Sequence, residues 1–281
     1  MKYWLSLIFE PVEQLIDLAR MAEELDFEGV VLPDHIVVKV GERVPHPRGY
    51  PLQPDELFPD PFCAMSAMAT ATTRLRFMSG VYVVPLRDPF ALAKQAGTLA
   101  VMSGNRFVLG TGVGWLEEEF QIVGRDFAAR GRRMDEMLQI LQDFWEDGYA
   151  EFHGEFFDFP LSGMFPVPTE RIPIFIGGHS MAAARRAVHY DGYMPMDGMN
   201  DRSRAEFAAI DQRRAELGLD GPFERMVGGT DLDAGGVREL AEVEGITNLL
   251  VRPWPASDYS LTLDDRRRLA ERYATDVMAK T

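Results

Sequence analysis

Short apolar runs alternate along this chain with stretches whose apolar residues recur at helical spacing. Residues 3–9 read as a buried strand. Residues 11–25 read as a helix with Val12, Leu15, Ile16, Ala19 and Ala22 on one face and Pro11 in its first turn. The run GVVLP at 29–33 predicts a second strand, ending in Asp34 and His35. A small-residue helix over 60–72 precedes a third strand over 74–84, RLRFMSGVYVV, where Gly80 marks a bulge or a close backbone approach. Asp88 then caps a helix over 89–102 that Gly104 ends.

The stretch 106–115, RFVLGTGVGW, is the centre of the pattern. Phe107, Val108 and Leu109 form a strand buried on both faces, and the alternating Gly110, Gly112 and Gly114 let backbone approach something flat or charged. Tight packing before a helix is the alternative reading of these glycines. Glu117, Glu118 and Glu119 suit a helix's first turn. The helix over 127–145 places Met134, Met137, Leu138, Leu141 and Trp145 on one face, a stripe that reads as core. Residues 149–159 predict a hairpin turning at Gly154, inserted after that helix. Further strands are predicted over 172–176, 192–196, 226–229 and 248–253, with helices from Met181 and over 202–217, 236–243 and 263–278. Eight strands alternating with helices predict one α/β domain over 1–281, a (β/α)8 TIM barrel. A doubly wound sheet is the alternative, because strand signals alone do not establish closure. The proline-rich segment 36–59 after the second strand reads as a lid loop.

Composition removes several function classes. A net charge of −15 argues against a nucleic-acid partner or an anionic membrane surface. The single cysteine, Cys63, allows no internal disulfide and suits a reducing cytoplasm. No run approaches the length of a membrane span, and the opening residues read as a strand and not a signal peptide. No histidine pair has metal-ligand spacing, and there is no GxSxG and no Walker-type loop. His46, His153 and His189 are weak candidates, and Arg130, Arg132 and Arg133 read as a solvated basic run.

In a barrel the ligand sits at the carboxyl ends of the strands, where the remaining candidates all fall. His35 suits proton transfer, with Asp34 orienting it; a capping aspartate beside a structural histidine is the alternative. The Gly177-Gly178-His179-Ser180 turn before a helix offers free amides to a phosphate, or is an ordinary glycine turn.

The blocks 31–35 (VLPDH), 79–99, 103–120, 130–138, 152–159 (FHGEFFDF), 172–178 (IPIFIGG) and 191–195 together resemble the luciferase-like oxidoreductases, within them the branch using the deazaflavin coenzyme F420. The resemblance implies a barrel with the cofactor ring facing Asp34 and His35. It implies backing from Ser79, Gly80 and Val81 through a non-prolyl cis peptide, a glycine exit at Gly110 and Gly112, and a phosphate held by Gly177, Gly178 and His179. It implies hydride transfer to or from a small organic substrate in a cytoplasmic homodimer, with His35 in the proton relay and segment 36–59 excluding water. The alternatives are an FMN-dependent monooxygenase fed by a partner flavin reductase, and a non-catalytic flavin or deazaflavin binder. Members that oxidise sugar phosphates carry a glutamate where this chain has Trp115 and a tryptophan where it has residues 36–39, which argues against that substrate. The coenzyme's oligoglutamate tail requires a locally basic groove in an otherwise acidic protein.

Overall fold

Parallel strand pairing runs without a break around eight strands and returns to the first. In the computed structural model, which describes residues 1–40, 44–45, 51–195, 197–255 and 258–281, the strands are β1 (Lys2–Ser6), β2 (Gly29–Leu32), β3 (Arg76–Ser79), β4 (Phe107–Gly112), β5 (Ile174–Gly177), β6 (Gly192–Met194), β7 (Glu224–Gly228) and β8 (Asn248–Val251). Lys2 to Leu5 pair with Asn248 to Val251 and close the ring. This is the (β/α)8 barrel, and the doubly wound alternative fails on that closure.

Each strand sends one apolar side chain into a shared inner layer. Trp4, Val31, Met78, Val108, Phe175, Met194, Met226 and Leu250 fill the barrel interior, and a larger apolar layer lies between the strands and the helices. Those helices are α1 (Leu15–Glu24), α2 (Pro61–Thr70), α3 (Pro89–Ser103), α4 (Glu117–Ile122), α5 (Arg130–Asp147), α6 (Met181–Ala187), α7 (Asp201–Glu216), α8 (Ala234–Glu242) and α9 (Leu263–Asp276). Asp60, Asp88, Ser180, Asn200, Asp233 and Thr262 cap six of them through their side chains. The methionine-rich stripe of α5 is buried throughout, as its spacing predicts.

Two local expectations are corrected, and the predicted hairpin is found. The buried face of α1 is Leu15, Leu18, Ala19, Met21 and Ala22, whereas Val12 and Ile16 are exposed, because Val12–Gln14 is a separate 3-10 turn that shifts the helical phase. The third strand is not continuous over 74–84. It stops at Ser79, the Gly80–Val81 peptide is cis, and Tyr82–Val83 pairs separately with β4. The hairpin after α5 pairs Tyr149–His153 with Asp158–Gly163, and Glu136 of α5 accepts the amides of Glu155, Phe156 and Phe157 at its turn. The predicted lid falls partly outside the described residues, as do His46 and Pro47. Its described part includes a two-strand pair, Val44–Pro45 with Pro51–Leu52. No helix among the described residues is long and apolar enough to cross a membrane.

Candidate active site

A cavity of about 570 Å³ opens at the carboxyl ends of the strands. Its floor follows from glycine. A Cβ on Gly112 would lie 2.9 Å, and one on Gly177 2.3 Å, from Val81 side-chain carbons. Both positions are therefore bare so that Val81, set by the cis peptide, can wedge between β4 and β5 as an apolar ledge. Gly80, Val81, Gly112, Gly177, Gly178 and His179 all line the cavity, together with Asp34 and His35.

Ser79 and Gly110 do not line it. The Ser79 hydroxyl donates to the Gly110 carbonyl at 2.8 Å, and a Cβ on Gly110 would meet the Ser79 carbonyl oxygen at 1.9 Å. These two residues bring β3 and β4 together beneath the ledge, a packing role in place of the cofactor contact predicted.

His35 is held on three sides. Its Nδ1 lies 2.9 Å from Glu119 Oε2, and Glu119 is fully buried. The other oxygen of Glu119 accepts the amides of Ile36 at 2.5 Å and Val37 at 3.3 Å. The rings of Phe58 and Trp115 stand edge-on to the imidazole with centroids 4.8 and 5.9 Å away. With Nδ1 taken, Nε2 is the nitrogen left for a ligand, and it has no hydrogen-bond partner among the described residues.

Asp34 does not hydrogen-bond its neighbour His35. Its Oδ2 accepts the Val83 amide at 2.9 Å and its Oδ1 the Arg87 guanidinium at 2.6 Å, while Arg87 also donates to the Tyr82 hydroxyl at 3.0 Å. Burial pushes the Asp34 carboxyl up, and Arg87 and the Val83 amide oppose that rise. Asp34 thus ties the end of β2 to the segment behind the cis peptide and aims the backbone at His35.

Across the barrel mouth the lining turns polar. The Ser180 side chain caps α6 by accepting the Ala183 amide at 3.2 Å. His179 Nδ1 lies 3.3 Å from Asp197. The Tyr193 hydroxyl is 3.0 Å from both the Gly178 carbonyl and Glu206 Oε2. The two acceptors share that one hydroxyl, and burial pushes the Glu206 carboxyl up while the Tyr193 hydroxyl opposes the rise. Arg130 and Arg186 also line this end. Arg130 donates to the carbonyls of Gly114 at 3.1 Å and Phe127 at 2.7 Å, and Arg186 pairs with Asp135. The arginine run is therefore not a solvated face. Only Arg132 is exposed, since Arg133 reaches the Pro85 and Arg87 carbonyls.

Four contributors escaped the sequence reading: Glu119, Arg87, Phe58 and Arg130. His153 pairs with Asp158 on the exposed hairpin and His189 is exposed, both remote from the cavity lining. No group of three metal-ligating side chains is present among the described residues.

The family model described as luciferase-like monooxygenase matches residues 5–230. The chain belongs to that family. An uncharacterised protein of Mycobacterium tuberculosis is 36% identical over 277 residues, covering 94% of each chain. Two solved structures share the family's fold with it. Monooxygenase RslO1 from Streptomyces bottropensis aligns with a TM-score of 0.81 at 17% identity, covering 99% of both chains. The coenzyme F420-dependent tetrahydromethanopterin reductase of Methanopyrus kandleri aligns at 0.74 and 14% identity, covering 99% of this chain and 98% of that one. Membership makes the chain an oxidoreductase-type enzyme.

Proposed function

We propose that this chain binds the deazaflavin coenzyme F420 and transfers a hydride between it and a small organic substrate. The observation that carries the reading is His35, fixed through Nδ1 by a buried carboxylate and open at Nε2, on the wall of a cavity with an apolar ledge beside it and cations across the mouth. The residues fit such a cofactor. Val81 offers a flat apolar support that Gly112 and Gly177 make room for, and Gly178, His179 and Ser180 offer a turn for a phosphate. Arg130, whose guanidinium donates to backbone carbonyls, supplies local positive charge for an anionic tail, with Arg186 beside it paired to Asp135.

When bound, the deazaflavin supplies a two-electron hydride donor or acceptor. The protein's own part is proton transfer and enclosure. His35 Nε2 gives a proton to the substrate oxygen or takes one from it, and Glu119 holds the ring in place and stabilises the imidazolium. Leu52 and Phe58 cover the site and keep water out.

A fluorescence titration with F420, and separately with FMN, tests the cofactor. Saturable micromolar binding of F420, with FMN at least tenfold weaker (about 1.4 kcal/mol), is the expected outcome. The family's description as luciferase-like monooxygenase, and the likeness to a type II Baeyer-Villiger monooxygenase solved with FMN, support a second reading, an FMN-dependent monooxygenase fed by a reductase partner. Preference for FMN, with oxygen uptake coupled to substrate loss, would replace the first reading with that one.

A further inference from the structure

We infer that the substrate is uncharged, with an apolar segment around the oxygen that meets His35 and a polar neutral extension running out over β7 and β8. The inference rests on the hydride-transfer reading above, which gives the β5 and α6 side of the mouth to the cofactor phosphate. Strand order then leaves the opposite side, at β8, β1 and β2, to the substrate.

The charges are divided in the same way. Arg130, which donates to backbone carbonyls, and Arg186, paired with Asp135, line the cavity from the β4–β5 side. On the other side stand Ile8, Pro33, Leu52, Phe58 and Leu250, with the Ser6 hydroxyl and His35 among them. Asp34 is neutralised by Arg87. An anionic group here would lose its water against apolar walls, with no lysine or arginine in the lining of that side to replace it.

The same side is where the cavity continues. Ser6, Ile8 and Leu250 also line a second groove of about 800 Å³ above β7 and β8. Its walls include Thr230, whose hydroxyl accepts the Arg252 amide at 2.9 Å and keeps its proton to donate to an extension. Its charges oppose an anion. The lining carries four carboxylates, those of Asp197, Asp231, Glu239 and Glu244, against the two guanidiniums of Arg204 and Arg252, and Asp231 and Glu239 make no ion pair within 4 Å among the described residues. An anion leaving the apolar end therefore meets a net negative groove.

Two isosteric probes test this, 4-oxocyclohexanecarboxamide and 4-oxocyclohexanecarboxylate, titrated calorimetrically at neutral pH with and without bound F420. The carboxamide should bind at least tenfold more tightly than the carboxylate. Replacing both acidic groove residues, Asp231→Asn with Glu239→Gln, should narrow the gap by about threefold by removing the repulsion. Equal affinities, a tighter carboxylate, or no binding of either probe overturns the inference. Failure of F420 itself to bind overturns the cofactor reading instead, while the ranking of the probes on the coenzyme-free protein still decides the substrate's charge.

Discussion

At the amino-terminal end of the barrel, Glu224 takes hydrogen bonds from Lys2, from Thr247 at 2.7 Å and from Asn248 at 2.6 Å. Burial alone would raise its carboxyl, but those donors outweigh burial and hold it below the ordinary range. Glu23 at the same end accepts the amides of Thr73, Arg74 and Leu75, with the same net result against burial. At the carboxyl-terminal end the balance reverses. Burial pushes Asp34 and Glu206 up despite their partners. The contrast teaches where the fold keeps its stability and where it tolerates cost. Carboxylates at one end are stabilised in their charged form and staple loops to strands. Those at the other are buried beside a cavity to aim His35 and the Gly178 carbonyl, the division expected of a barrel whose chemistry sits on one face.

The largest effect expected separates the two ends by function. His35→Ala should lower turnover by about 10²–10⁴-fold in a protein that still folds and binds F420, with a lower melting temperature because the buried Glu119 loses a partner. Steady-state rates with calorimetry check it, and full turnover would remove His35 from the chemistry. Asp34→Ala blurs the division, because it strands Arg87 in the interior. A loss of about 3–5 kcal/mol in denaturant unfolding is expected. A smaller loss of about 1–3 kcal/mol is expected of Glu224→Ala, with turnover retained. Lost turnover in a still-folded Glu224 variant would break the comparison.

The smallest effect is a pH dependence with opposite signs at the two ends. The folded pKa of Glu224 lies below its unfolded value, so its contribution is complete above the ordinary carboxylate range, near pH ~4.3, and is lost as pH falls through the folded value. The folded pKa of Asp34 is raised, so its contribution is present below the unfolded value, near pH ~3.9, and is lost as pH rises through the folded value. Melting curves between about pH 3 and 7 should show Glu224→Gln flattening the loss of stability on acidification. An unchanged slope would contradict the assignment.

The barrel was legible because each strand is an apolar run between breakers, and because Asp34, His35, Gly112 and Gly177 fall at strand ends in the chain itself. What stayed hidden depends on contacts between distant segments. Ser79 and Gly110 lie in the right strands, but only the approach of β3 to β4 shows that they face each other and not the cavity. Arg87 pairs with a residue 53 positions away, and no spacing announces that. Glu119 did leave a signal. It occupies the face of α4 that runs through Leu116, Phe120 and Val123, an apolar spacing of three and four in which one acidic residue is out of place. Taking the three glutamates together as a first turn that complements the dipole concealed it. Arg130 was lost in the same way, as one member of a basic run whose members turn out to have different surroundings.

The most direct test of the account is a crystal structure of the protein with F420 bound. The ring is expected against Val81 with an edge toward His35, the phosphate at Gly178, His179 and Ser180, and the tail beside Arg130 or Arg186. A ring seated in the groove over β7 and β8, or a phosphate held away from the α6 turn, would contradict it.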